Sequence, residues 1–443
     1  MTYPVERTGW GRTLKSKSKV IDSLNILEQL QHLPSHGILP VGLSRSYGDS
    51  ALNSSGICVT AQNQNKILID DATGTATCES GATIGQLERV ALAHGYYPYV
   101  VPGTEFVTIG GAIASDVHGK SHHLHGSFGN HVSEIDLVLA NGEEIIVSPD
   151  GQYAEYFSAT VGGMGLTGLI KSAKIQLRKV ESAYIKIKNK RVENLADMLS
   201  TLRDFESDFE YCVAWVDLSG KFEGRGIVTG GNHANVDELP SGLKGKHFDE
   251  QKPKSIKLPE LIEPRLINKT TIRLFNEFWY RKPLDVNFAH LQPFMHPLDG
   301  IVNWNRLYGK AGFLQYQFVI PFANEEFIFR VLEKLRRIDA GSPLTVLKGF
   351  GNQSNGLLSF PKSGWTLALD ISSKTKDLFQ LLDSLDADLV KFGGRVYLTK
   401  DSRMNSALMN QMYPNLDRWR EIKNDMDPKN VWQSDQSRRL KLC

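Results

Sequence analysis

Thr108-Ile109-Gly110-Gly111-Ala112-Ile113-Ala114-Ser115, followed at once by Asp116-Val117-His118-Gly119-Lys120-Ser121-His122-His123-Leu124-His125-Gly126, is the stretch on which the reading of this chain turns. A run of glycine and alanine lets backbone approach a flat or phosphorylated ligand closely. Pro102-Gly103-Thr104, just upstream, adds a tight turn. Four histidines between 118 and 125 invite a metal reading, and His118 and His122 have the i, i+4 offset of helical ligands. The surrounding glycines oppose a helix there, and His118 stands where a ligand loop needs a polar contact. No metal site is therefore expected.

Upstream, Gly37-Ile38-Leu39-Pro40-Val41-Gly42 reads as a short buried strand running into Gly42-Leu43-Ser44-Arg45-Ser46-Tyr47-Gly48-Asp49. Small residues after a strand let N–H groups converge on an anion, and Arg45 adds a fixed charge. On its own this loop is also compatible with a surface turn. Thr83-Ile84-Gly85-Gln86 has the form of a capping box, with a helix expected until Gly95. Asn141-Gly142 between two apolar runs predicts a hairpin with a type I′ turn. Gly163-Met164-Gly165-Leu166-Thr167-Gly168 matches G-x-G-x-x-G, but the alternating residues after it are strand-like. It reads as a close-approach turn in a different nucleotide fold, not as the start of a βαβ unit.

The rhythm then changes. Strand, helix and strand follow one another three times: 184–187, 193–205 and 211–217; 313–320, an Asn324-capped helix and 344–350; 365–371, 378–390 and 395–400. This predicts a sheet with helices on one face. The Gly/Pro/Lys-rich stretch 239–259 interrupts it as a loop. At the end of the last strand stands Lys400, beside Asp401 and Arg403. A lysine there is commonly a snorkelling surface residue; flanking charges also allow a site in which its pKa is tuned.

Lys+Arg is 51 and Asp+Glu is 49, a net charge of +2, so nothing favours a nucleic-acid partner. Cys58, Cys78, Cys212 and Cys443 have neither metal nor disulfide spacing. The N-terminal residues show no apolar signal core and no stretch is long enough to span a bilayer. The expectation is a cytoplasmic protein.

The ordered blocks Ser-Arg-Ser-Tyr-Gly-Asp, Pro-Gly-Thr, Thr-Ile-Gly-Gly-Ala-Ile-Ala, His-Gly-Lys-Ser-His-His, Gly-Ser-Phe-Gly-Asn-His and Gly-Gly-Met-Gly-Leu-Thr-Gly resemble the PCMH-type FAD-binding domain of the vanillyl-alcohol oxidase superfamily. Phe313-Leu314-Gln315-Tyr316-Gln317-Phe318, Val346-Leu347-Lys348-Gly349-Phe350, Leu358-Ser359-Phe360-Pro361 and Tyr397-Leu398-Thr399-Lys400-Asp401-Ser402-Arg403 narrow the resemblance to the decaprenylphosphoryl-β-D-ribose 2-oxidase family.

The resemblance implies an α+β fold. A two-lobed FAD-binding domain (1–182) would carry a cap built on an antiparallel sheet covered by helices (183–394), and a C-terminal segment (395–443) would return to the FAD domain. It implies that Pro40, Val41, Gly42, Leu43, Ser44, Arg45, Ser46, Tyr47, Gly48, Asp49 and Ser50 cradle the pyrophosphate. Gly103, Thr108, Ile109, Gly110, Gly111, Ser115, Asp116, Val117, His118, Ile170 and Tyr397 would line the rest of the cofactor. Some members of the superfamily attach flavin through a histidine in the first loop; Arg45 stands in or beside that place, which implies non-covalent FAD.

For chemistry it implies Lys400 at the reacting hydroxyl, with His118 and Tyr47 beside the flavin. Gln315, Gln317, Lys348, Phe350, Thr366 and Ala368 would contact the sugar or phosphate. Relatives carry Asn and Cys after the Gly-Trp of the cap where this chain has Thr366 and Ala368, so the sugar's surroundings are expected to differ. The implied reaction is oxidation of the 2-hydroxyl of a lipid-linked ribose phosphate. A short-chain-type reductase would complete the epimerisation to the arabino form.

Contact with the inner membrane face is expected from 239–262, where Lys244, Lys246, Lys252, Lys254 and Lys257 alternate with Leu243, Phe248, Ile256 and Leu258. A solvated insertion is the plainer reading of that stretch. A sugar-lactone or alditol oxidase and a non-catalytic flavin-binding protein are the competing functions. The missing linking histidine opposes the first and Lys400 the second.

Overall fold

Ile38–Pro40, Ile57–Thr60 and Lys15–Asp22 run parallel, and Val5–Thr8 adds antiparallel at the edge. The computed structural model describes residues 4–219, 224–249, 256–257, 267–284 and 287–443. Ile38, Leu39, Cys58 and Val59 are buried, as strands of a parallel sheet are. Trp432, near the end of the chain, packs fully buried against Ile38, Ile57 and Val59 and completes this core.

A second, antiparallel sheet follows the order Ile67–Asp70, Thr75–Glu79, Leu169–Lys179, Val132–Val138, Glu144–Val147, and Tyr96–Pro98 also pairs with Leu169–Lys179. The helix Ile84–Ala93 starts at the expected capping box: Thr83 Oγ1 accepts from Gln86 N–H, and Gln86 Oε1 accepts from Thr83 N–H. The hairpin forms where expected, but its turn is of another kind. Gly142 has φ +85° while Asn141 is not left-handed, and Gly142 N–H donates to Leu139 O. A type I′ turn needs both central residues at positive φ, so this is a longer loop closed by a glycine bulge.

The third sheet has eight strands in the order Phe288–His290, Tyr184–Val192, Gly226–His233, Tyr211–Val216, Thr345–Phe350, Gly364–Ser372, Phe313–Ile320, Arg395–Val396. All its pairings are antiparallel. The helices Leu195–Asp208, Glu326–Arg337 and Leu378–Lys391 bury their apolar stripes in the core shared with this sheet, through Leu202, Val331 and Leu385 among others. Side chains alternate along a strand. Tyr316 and Phe318 therefore meet the helices, through Asp386 and Phe327, while Gln315 and Gln317 point to the opposite face.

Two expectations are corrected here, and a third falls partly outside the described residues. Asn324 does not cap the following helix; its amide donates to Phe392 O, the C-cap of Leu378–Lys391. The last strand ends at Val396, and Lys400 lies in the turn after it, where its N–H donates to Tyr397 O. In 239–262, residues 250–255 and 258–262, with Lys252, Lys254 and Leu258, lie outside the described residues. Leu243 and Phe248 are half-buried, each packed against a buried cluster.

Candidate active site

Between the first two sheets lies a cleft partly open to solvent. Pro40, Val41, Gly42, Ser46, Ser50, Thr108, Gly110, Gly111, Ser115 and Ile170 line it, so both glycine-containing blocks converge as expected. A Cβ on Gly42 would stand 2.2 Å from Thr108 Oγ1, and one on Gly81 1.7 Å from Ala61 O; the walls meet only because these side chains are missing. Ser50 Oγ is buried in the lining with no partner, an acceptor and donor left for a ligand. Small residues, bare backbone and an unpaired hydroxyl fit the phosphate-bearing half of a dinucleotide such as FAD.

Other residues expected in the cofactor set are directed elsewhere. Ile109 and Val117 belong to the core. Asp49 is held by both ends of the Arg439 guanidinium, which also binds Asp401. Asp116 accepts from Ser354, Ser359 and Gly129 N–H, tying its loop to the 351–360 segment. Ser44 accepts from Arg7, Leu43 is half-buried, and Gly48 abuts the Asp401 backbone. A Cβ on Gly103 would meet open space. The Arg45 guanidinium lies 4.1 Å over Trp10 and 5.3 Å from the Phe106 ring centre, with its Nε buried and unpaired.

The histidine-rich loop disperses. His122 Nε2 pairs with Ser127, His123 with Phe209 O and His125 with Glu210. Among the described residues no group of three or more His, Cys, Asp or Glu side chains is placed to hold a metal.

His118 alone joins the polar face of the large sheet. Its Nε2 shares a 3.0 Å hydrogen bond with the Gln317 amide, and its Nδ1 shares one of 3.2 Å with Lys348 Nζ. The register explains the grouping: Gln315 lies opposite Asp370, Gln317 opposite Ala368, and Lys348 opposite Thr366, so alternate residues on adjacent strands share one face. Thr366 accepts from Gln317 and donates to Phe318 O. Phe350 packs 4.8 Å from the His118 ring. Tyr397 stacks on Phe360 at 4.4 Å and donates to Ser115 O, linking this face to the cleft.

Lys400 Nζ stands 3.8 Å over the Tyr47 ring, and Tyr47 packs with Trp304, Tyr308 and Phe313. Burial pulls Lys400 down to about 7, against the opposing pull of Asp370. Burial likewise brings Asp370 up to about 7 and Lys348 down to about 7, the latter helped by Lys120 and Lys400. Burial and the flanking Lys348 hold His118 neutral, well below its ordinary value. The face is thus cation-rich, with groups poised to exchange protons near neutrality.

Sequence reasoning missed Asp370 and much of the cleft lining, including Ser80, Gly81 and Ala61, while the 163–168 turn reaches the cleft through Met164, Gly165 and Gly168. Asp370 had a signal: in Trp365-Thr366-Leu367-Ala368-Leu369-Asp370-Ile371 it shares the period-two face of Thr366 and Ala368.

Residues 14–148 match the FAD binding domain family. With the α+β fold and the adjoining polar face, that match defines an FAD-dependent oxidoreductase. The chain is 38% identical to the decaprenylphosphoryl-β-D-ribose oxidase of Mycolicibacterium smegmatis, over 98% of this chain and 97% of the other. It therefore belongs to the decaprenylphosphoryl-β-D-ribose oxidase family. It is also 32% identical to an uncharacterized protein in the mprA 5′ region of Streptomyces coelicolor, covering 81% of this chain and 100% of that one. A putative D-arabinono-1,4-lactone oxidase of Neurospora crassa is 28% identical, but over only 38% of this chain.

Proposed function

We propose that this protein oxidises the 2-hydroxyl of a polyprenyl-phosphoryl ribose to the 2-keto sugar. A short-chain-type reductase would then convert the keto sugar to the arabino epimer for cell-envelope glycans. The observation that carries the reading is the polar sheet face on which Lys400, Asp370, Gln315, Gln317, His118 and Lys348 converge beside the cleft. The likeness to the mycobacterial oxidase spans both regions, whereas the likeness to the lactone oxidase covers 38% of the chain.

FAD held in the cleft would supply a hydride acceptor for the carbinol carbon. Neutral Lys400 takes the proton of the 2-hydroxyl, and the Asp370 carboxylate stabilises the ammonium that results. Gln315 and Gln317 orient the sugar hydroxyls, with Phe350, Thr366 and Ala368 shaping the sugar's bed. Lys348 meets the phosphate. Tyr47, through the contact of its ring with Lys400, and neutral His118 keep the reacting edge in place and exclude water. The cofactor is bound without a covalent link, a reading supported by Arg45 in the first loop, in or beside the place of a linking histidine. The proposed units remain 1–182 for FAD, 183–394 for the cap and 395–443 for the returning segment.

Mass analysis of the sugar after incubation with polyprenyl-phosphoryl ribose and an electron acceptor tests the reaction. Loss of two hydrogens at C2 is expected. An unchanged ribose alongside an oxidised lactone or alditol would overturn the assignment.

A further inference from the structure

The helix Lys269–Arg281 is apolar on the wrong side. Its inward face carries Ile272 and Asn276, and Asn276 donates to Asp217. Glu277 pairs with Arg225, and Arg191 donates to Tyr280 O, so the helix is firmly mounted on the edge of the large sheet. Leu274, Phe275 and Phe278, at the spacing of one helical face, are exposed by 66%, 45% and 70%. Such a cluster is not expected on a helix facing water alone.

Trp279 stacks near Phe275 and carries the Lys282 ammonium 3.5 Å over its ring. Lys269, Arg273, Arg281 and Lys282 surround the apolar residues, Lys269 and Arg281 paired with Asp339 and Glu277, and Arg273 and Lys282 placed to meet anions. Aromatic and leucine side chains ringed by cations suit the boundary of headgroups and acyl chains in an anionic leaflet. The position suits it too. Ile267, immediately before the N-cap Asn268, packs against the Tyr47–Trp304 cluster on which Lys400 rests.

We propose that the outward face of Lys269–Arg281 is the surface by which this protein docks on an anionic bilayer. Leu274, Phe275 and Phe278 insert, and Arg273 and Lys282 meet lipid phosphates. The proposal rests on the lipid-linked substrate assigned above and moves the membrane contact from 239–262 to this helix.

The test is co-sedimentation of the FAD-loaded full chain with phosphatidylcholine vesicles, with and without phosphatidylglycerol. Wild type is compared with Leu274→Ser/Phe278→Ser and with Arg273→Glu, and gel filtration is run on each. Wild type should sediment with the anionic vesicles alone. The double variant should bind them about tenfold more weakly or worse, with unchanged turnover of a short-chain, water-soluble ribose phosphate. Equal sedimentation of wild type and variants overturns the proposal. So does a concentration-dependent dimer, lost in the double variant, with no vesicle binding: the face then covers a second copy. Vesicle binding lost as expected, with no turnover of lipid-linked ribose by wild type, would overturn the substrate reading and leave the docking surface standing.

Discussion

Gln315 and Asp370 stand opposite one another on neighbouring antiparallel strands, and the 2.6 Å hydrogen bond from Gln315 Nε2 to Asp370 Oδ1 leaves the other carboxylate oxygen buried without a partner. An unpaired carboxylate oxygen inside a protein is costly unless a cation or substrate shares its surroundings. Lys400 is the cation whose charge Asp370 supports.

That relationship sets a pH dependence. If neutral Lys400 is the base, kcat/KM rises with pH through the value of about 7 to which burial has brought it. Asp370 opposes that depression, so Asp370→Asn should move the rising limb to lower pH while lowering the plateau. A pH–rate profile measures it. An unmoved limb would show that Asp370 does not act through Lys400.

Lys400→Met should keep FAD and lose turnover by about 10²–10⁴-fold, the usual effect of removing a positioned acid–base group. The fold should not suffer. A lysine whose folded pKa is depressed loses stability as pH falls from its ordinary 10.5 through about 7, so a neutral residue of similar length relieves that cost at and below neutrality. Bound-flavin absorbance, turnover and thermal melting distinguish the cases. Turnover within a few-fold of wild type removes Lys400 from the chemistry.

Gly42→Ala should weaken FAD binding, because the new Cβ would lie 2.2 Å from Thr108 Oγ1. Adding Thr108→Ala makes room and should restore part of the affinity, although it removes the side-chain cap on Gly111 N–H. Fluorescence titration of the apoprotein with FAD measures both variants. Additive losses would show that the two residues do not meet.

The purified protein should be yellow and should release its flavin on acid precipitation. No linking histidine occupies the first loop, where Arg45 instead lies over Trp10. Flavin absorbance in the pellet would contradict non-covalent binding.

Much of this is legible in the sequence. The run 108–115, the loop 40–50 and the strand alternation at 313–320 and 365–371 each express a local rule: small residues where backbone must approach a ligand, period two where a sheet has two unlike faces. What escaped depended on distant partners. Asn324 has the sequence position of a cap, but its amide is taken by Phe392 O from another helix. Asp49 reads as part of an anion loop, yet Arg439 claims both its oxygens from the far end of the chain. Asp370 is the one charged residue of its strand, and only the register beside Gln315 makes it part of a site.

The central claim is that this face and cleft together oxidise a lipid-linked ribose. Anaerobic mixing of the FAD-loaded protein with polyprenyl-phosphoryl ribose, followed at the flavin absorbance band, tests it most directly. The account predicts bleaching by that substrate, slower or absent bleaching by free ribose and by sugar lactones, and none in Lys400→Met. Bleaching by a lactone or alditol, with the lipid-linked ribose inert, would contradict it.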